Sequence, residues 1–207
     1  MYVAFVFRAC YFPLMSINQD TLDQVLQALG DTLEARGLAF ELVVVGGSGL
    51  LLLGLVTRPT KDIDALALVD NGEYVSAKPF PPPLAQAVAS VGRAFDLSET
   101  WLNAGPTDLL RFGLPEGFRD RVEIRRFGGL TLQVAARRDQ ICFKLYAAVD
   151  QGPKSKHSSD LRALQPTDDE LLAAARWSRT HDPSEGYRQV LAEMLAALGL
   201  DGADDLV

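Results

Sequence analysis

Asp62 and Asp64 stand one residue apart in the stretch KDIDALALV, residues 61–69. On an extended chain, positions i and i+2 share a face, so both carboxylates leave the same side, roughly 6–7 Å apart along the strand. Two like charges so placed repel one another unless something positive sits between them. Hard oxygen ligands in that number suit Mg²⁺, which keeps waters and substrate phosphate as its other ligands. Taken alone, an Asp-Ile-Asp also reads as a solvated strand end.

Upstream lies Gly46-Gly47-Ser48, directly after the β-branched run FELVVV, residues 40–45. Glycines let the backbone approach a ligand closely, and amides at a helix start can hold an anion. The run SGLLLLGL reads as a short helix with Ser48 as its N-cap. Alone, this is an ordinary strand-to-helix turn. A strand ending in Gly-Gly-Ser, a helix, and a strand bearing Asp-x-Asp together outline a clamp for a triphosphate and its metal. Such a clamp needs no nucleophilic side chain, because it works by positioning and by neutralising the leaving pyrophosphate.

The elements that must carry these residues follow from hydrophobic spacing. Leu22, Val25, Leu26, Leu29 and Leu33 recur at three and four residues, which predicts an amphipathic helix over 18–36, capped near Asn18 or Asp20 and stopped at Gly37. Residues 61–69 alternate, with Ile63, Ala65 and Ala67 on one face and Asp62, Asp64, Leu66 and Leu68 on the other. Residues 70–83 are a turn and a proline-rich loop leading into a helix over 84–95. Residues 99–118 read as a loop-rich connection, in which Trp101 and Asn103 are candidates to line the acceptor site, Trp101 reading more readily as core. Residues 120–136 read as a hairpin with a Gly-Gly turn. Helices follow over 138–152 and 157–164, then two more to the end. The order predicts an α+β fold, with a nucleotide-binding core over 1–137 and a helical unit over 138–207 packed on it.

Composition narrows the class. The chain has 207 residues, 48% of them hydrophobic, with a net charge of −7. No apolar run is long enough to cross a bilayer, and the apolar start lacks the basic opening of a signal peptide, which points to the cytoplasm. Met15 also reads as a natural start, so residues 1–14 are either an extension or a packed first segment. Two cysteines, Cys10 and Cys142, and two histidines, His157 and His181, leave little for a His/Cys metal cage. Residues 111–156 hold ten Lys/Arg against five Asp/Glu, whereas the flanking stretches are acidic. A local basic stretch on an acidic chain suits a selective anionic ligand, such as a triphosphate or a structured RNA, and equally suits a solvated arginine-rich face.

The stretch VVVGGSGLLLLGLVTRPTKDIDAL resembles the core of the DNA polymerase β-like minimal nucleotidyltransferases. With RPTKDID, ETWLN, GLP and the later FKLYAA and KSKHSSDLRAL, it is similar to a bacterial branch related to abortive-infection and toxin–antitoxin nucleotidyltransferases, over roughly residues 20–165. The resemblance implies that Gly46, Gly47 and Ser48 bind nucleotide phosphates and that Asp62 and Asp64 hold Mg²⁺. It implies that Lys144 contacts the triphosphate, that Asp160 orients the site, and that Arg58 reaches phosphate. Without it, Lys144 reads as a snorkelling surface lysine, Asp160 as a helix-start acid and Arg58 as a loop arginine. The superfamily usually adds a third carboxylate from a later strand; here Glu123 is the candidate, and it reads equally as a cross-strand partner of a nearby arginine. His157 stands where relatives often carry an acid.

Three functions are open at this stage. The first is transfer of a nucleoside monophosphate from an NTP to an RNA 3′ end or a protein hydroxyl, as a toxin-type enzyme with a cognate antitoxin-type partner. The second is a non-catalytic module of the same fold that binds NTP or a partner. The third is an interaction protein whose glycines and acids are structural.

Overall fold

The computed structural model describes residues 16–202, so the question of residues 1–14 lies outside them. The first helix, α1 (Gln19–Glu34), begins where Asn18 accepts the Thr21 amide at 2.9 Å. Its predicted stripe, Leu22, Val25, Leu26, Leu29 and Leu33, is fully buried.

The fold is α+β. Strands β1 (Phe40–Val45) and β2 (Ile63–Asp70) pair antiparallel, and β2 continues into a short β3 (Glu73–Val75). The hairpin β5 (Glu123–Phe127) and β6 (Leu130–Val134) closes the other side, with β6 parallel to β1. The sheet order is β3-β2-β1-β6-β5, and a two-residue β4 (Leu102–Asn103) runs parallel to β2. The predicted Gly128-Gly129 turn joins the hairpin and docks on α1. Gly129 donates to the Gly30 carbonyl at 3.0 Å, and a Cβ on Gly30 would lie 1.6 Å from the Phe127 carbonyl oxygen. Only glycine permits that approach.

Strict alternation along β2 is not what forms. Its pairing with β1 steps from Val43 opposite Ala67 to Val44 opposite Ala65, so Leu66 is an extra, bulged residue. Ile63 and Ala65 pack with α1 and with α3 (Pro82–Ala94), while Leu66 and Ala67 both pack toward Phe118 and Phe143. The bulge re-aims the second half of the strand, and β2 buries both faces as a result.

Of the two stretches expected to be loop, 70–83 contains β3, and 99–118 contains β4 and a 3-10 helix (Gly105–Phe112) and ends at the one-turn α4 (Phe118–Arg121). The helix after β1, α2 (Gly46–Leu52), starts two residues before the expected cap, with Val45 in the cap position. The Gly46 amide finds its acceptor elsewhere: Gln140 Oε1 lies 3.0 Å away on α5 (Arg137–Gln151). Ser48 is therefore free of the capping role.

The chain ends in α6 (Lys156–Ala163), α7 (Asp168–His181) and α8 (Glu185–Ala197). Their apolar faces share a cluster with α5 and with Leu50 of α2. Arg137 ties the segment together, bonding the Leu164 carbonyl and the Glu170 carboxylate. Among the described residues, no helix is long and apolar enough to cross a membrane.

Candidate active site

The strand directions bring several chain ends to one edge of the sheet. β1 ends there at Val45 and β6 at Val134, while β2 begins there, with Asp64 opposite Val45. Asp62 directly precedes β2. The segment before it is pinned by Ile17, which exchanges two backbone hydrogen bonds with Thr60 at 2.7 and 2.9 Å.

Gly46 and Gly47 lie against this segment. Gly46 has φ +78°, and a Cβ there would sit 2.7 Å from Asp64 Oδ2. Gly47 leaves room for Thr60 and for the Arg58 guanidinium, whose Nη2 lies 3.4 Å from where its Cβ would be. The glycine turn therefore faces both the acid and the arginine. Ser48 is fully buried, and its Oγ has no partner among the described residues. An unpaired buried hydroxyl is costly unless something binds it.

Asp64 accepts one hydrogen bond among the described residues, from Asn103 Nδ2 at 3.3 Å. Burial raises its carboxyl above the ordinary range, and repulsion from Asp62 adds to this; Asn103, Lys156 and Lys144 oppose it. The cause of that shift is the test of fit for a divalent cation. Two hard oxygen donors repel each other, one of them half-desolvated, and a cation between them removes the penalty. Among the described residues, no three His, Cys, Asp or Glu side chains are placed to hold a metal ion together. The pair would hold Mg²⁺ with water and phosphate completing its shell, which is its usual habit.

Asp160 of α6 receives two cations. Arg58 approaches it with both prongs, Nε to Oδ1 at 2.6 Å and Nη2 to Oδ2 at 2.5 Å. Lys144 of α5 bonds Oδ2 at 2.7 Å. Lys144 is 3% exposed and Asp160 1%, so neither is the surface side chain that its type suggests. Burial pushes Asp160 upward, but hydrogen bonds from Arg58 and Lys144 outweigh it and hold its carboxyl below the ordinary range. Burial lowers Lys144, against the pull of Asp160. His157 lies beside this group with a buried, unpaired Nδ1. Burial and the nearby lysines lower it to about 4.

Gly46, Gly47, Arg58, Asp64, Lys144 and Asp160 thus form a connected group, with Asp62 acting electrostatically on Asp64. Glu123 does not join it. It lies on β5, the outermost strand, separated from β2 by β1 and β6, and it pairs with Arg125 at 3.0 Å. Trp101 is core, its indole N–H bonded to the Val88 carbonyl at 2.9 Å.

Residues 20–164 match the model of a family described as nucleotidyltransferase of unknown function (DUF6036). The chain belongs to this family. The matched span of the nucleotidyltransferase family runs from α1 through α6 and includes every residue of the group just described; α7 and α8 lie beyond it. No curated protein and no solved structure matches the chain.

Gln140 is the positioning residue that sequence reasoning passed over. It is fully buried, accepts the Gly46 amide, and its amide nitrogen fills the space beside Gly49. The signal was present: Gln140 and Lys144 are i and i+4, one face of one helix.

Part of the basic stretch is taken up in ion pairs. Arg119, Arg121, Arg125 and Arg137 are engaged by Glu73, Asp139, Glu123 and Glu170.

Proposed function

We propose that this member of the nucleotidyltransferase family transfers a nucleoside monophosphate from Mg²⁺–NTP to an acceptor hydroxyl and releases pyrophosphate. The observation that carries the reading is the convergence of Arg58 and Lys144 on buried Asp160, with the Arg58 guanidinium against Gly47 and Asp64 against Gly46. Nothing in a purely structural turn calls for two cations, a buried carboxylate and an unpartnered buried hydroxyl in one place.

Asp62 and Asp64 would hold the cation, which when bound supplies Lewis-acid polarisation of the phosphates and neutralises the leaving charge. Asp160 holds Arg58 and Lys144 in place, and their N–H groups not bonded to it would meet phosphate oxygens. Gly47 and the Ser48 hydroxyl form the floor against the triphosphate. The acceptor oxygen bonds to the α-phosphorus, the α–β anhydride bond breaks, pyrophosphate takes the bonding pair, and the acceptor's proton ends on water. Asn103 also lines an apolar groove of about 460 Å³ with Pro79, Phe80, Val88 and Leu102, which we assign to the approaching acceptor.

The acceptor hydroxyl is carried by RNA or by protein, and a toxin-type role with a cognate partner belongs to the same reading. A second reading, nucleotide binding without turnover, draws on one observation: no third carboxylate joins the pair among the described residues.

The test is transfer of label from each α-labelled NTP to total RNA and to protein, with pyrophosphate measured in parallel. The reading expects label in one acceptor class, pyrophosphate in equal amount, and neither with Asp64→Ala. Metal-dependent binding without pyrophosphate selects the second reading.

A further inference from the structure

We propose that the cleft between α5 and α8 binds an organic cation, an alkylammonium or a guanidinium group. The cleft shares no residue with the group around Asp64 and Asp160, and α8 lies beyond the matched span 20–164. Binding there is independent of the nucleotide reading above.

Two rings and two acids line the cleft. Tyr146, Val149 and Asp150 come from α5, Asp182 follows α7, and Tyr187 and Val190 belong to α8. The space is about 620 Å³, open to solvent, with no Lys, Arg or His among its described lining residues. The Tyr146 and Tyr187 rings stand 6.0 Å apart, tilted by 40°. Tyr146 is held by His181 and Trp177, with ring centroids at 5.3 and 6.2 Å. The Tyr187 hydroxyl is buried without a hydrogen bond, because the nearby Ser178 hydroxyl is turned to the Ala175 carbonyl at 2.8 Å. The cleft therefore meets the Tyr187 ring and not its hydroxyl. Both carboxylates act on the Tyr146 phenol: burial raises it above its ordinary range, and Asp182 and Asp150 add to this.

The charges select the ligand. Asp150 is exposed and has no hydrogen bond or ion pair among the described residues. The Ser184 amide donates to Asp182 Oδ1 at 2.9 Å, which fixes that carboxylate. The cations beside the cleft are engaged elsewhere. Arg179 Nη1 donates to the Asp182 and Ser184 carbonyls at 3.0 and 2.7 Å, and Arg188 holds Glu185 at 2.6 Å. Residues 165–207 carry nine Asp/Glu against three Lys/Arg, so the surrounding field draws cations in. A hard metal ion wants several oxygens around it, and two rings supply none. An alkylammonium or guanidinium uses both features, its N–H groups on the carboxylates and its charge over a ring face within about 6 Å. Val149 and the 44% exposed Val190 give its methylene stem an apolar wall. A free polyamine and a lysine or arginine side chain of a peptide carry this same group.

The test is calorimetry of the full chain without nucleotide. Spermidine and the peptide Gly-Arg-Val-Arg-Gly are titrated in turn, against sodium chloride of equal ionic strength. The proteins are wild type, Asp150→Asn, Tyr187→Leu and Tyr187→Phe. At least one probe is expected to bind wild type at a single site. Asp150→Asn should weaken that binding about tenfold. Tyr187→Leu should weaken it too, and Tyr187→Phe, which keeps the ring, should retain it. Binding of spermidine alone assigns the cleft to a free polyamine, binding of the peptide alone to a side chain of a partner protein, and binding of both to the cationic group whatever carries it. No binding of either probe beyond the salt control overturns the proposal. Binding that survives Asp150→Asn unchanged places the cation elsewhere on the acidic surface and also overturns it, as does a folded Tyr187→Leu that binds like wild type. The Asp150→Asn arm, at an exposed position, decides even if the leucine variant does not fold.

Discussion

Arg58 and Asp160 stand 102 positions apart in the chain and meet through two hydrogen bonds of 2.6 and 2.5 Å. That pair fastens the loop before the acidic strand to a helix outside the sheet, with Lys144 bonded to the same carboxylate from a third element. It is the joint between the sheet that carries the acids and the helices that carry the cations. Arg58 is partly exposed, with 37% of its side chain accessible, whereas Asp160 and Lys144 are enclosed. Most of the energetic consequence therefore sits on the lysine–aspartate side.

Removing the shared carboxylate strands a buried cation. Asp160→Ala is expected to cost about 3–5 kcal/mol, the usual scale for breaking a buried pair from one side. In a chain of this size that lowers the thermal midpoint by roughly 6–20 °C. Lys144→Met combined with Asp160→Leu is expected to recover much of the loss, which calorimetry of the two variants checks. Arg58→Ala should cost less than Asp160→Ala.

Gly46→Ala separates two effects when set against Gly54→Ala. Both glycines have positive φ, +78° and +68°, but only at Gly46 does a Cβ collide with Asp64. Each substitution should cost about 1 kcal/mol or more from the backbone conformation. Only Gly46→Ala should also abolish nucleotide-dependent stabilisation, read by thermal shift.

Glu123→Ala should be silent. The residue is half-exposed on the outer strand and paired with an equally open arginine. Its loss is expected to change stability by no more than about 0.5 kcal/mol. It should leave ligand responses and any transfer activity unchanged. A large activity loss would mean that the edge strand reaches the chemistry.

Acid stability carries the mark of His157. Its pKa is lowered to about 4 in the fold, against an ordinary value of 6.5. Between those two values the unfolded chain binds the proton and the folded chain does not. The stability is thus complete above pH 6.5 and is lost progressively as pH falls toward 4. His157→Gln should flatten the decline of the thermal midpoint across that window, whatever constant offset the new side chain adds, and an unchanged slope would contradict this.

Much of this was legible from residue types. The α1 stripe, the Gly-Gly turn of the hairpin and the glycine turn before the acids all follow from local spacing, because each is decided within a few residues. β3 and β4 were not legible, since strands of three and two residues have no period to read and form only where β2 offers a partner. The bulge at Leu66 was hidden for the same reason: the sequence alternates, and only pairing with Val43 and Val44 shows where it slips. Lys144 and Asp160 looked like surface charges because each alone would be. Their burial depends on meeting one another and Arg58, a long-range event that no window around either residue contains. The third acid was sought on the hairpin as Glu123, while the residue that touches Asp64 came from a segment read as loop, as Asn103.

The central claim is a cation-dependent nucleotide site built on Asp64. Thermal-shift titration of wild type and Asp64→Ala with each NTP, with and without Mg²⁺, tests it most directly. A ligand at a hundred times its dissociation constant adds about 2.7 kcal/mol. The account predicts that one NTP stabilises wild type only when Mg²⁺ is present and that Asp64→Ala, though folded, shows no such response. Equal responses in both proteins, or none in either with any NTP, would contradict it.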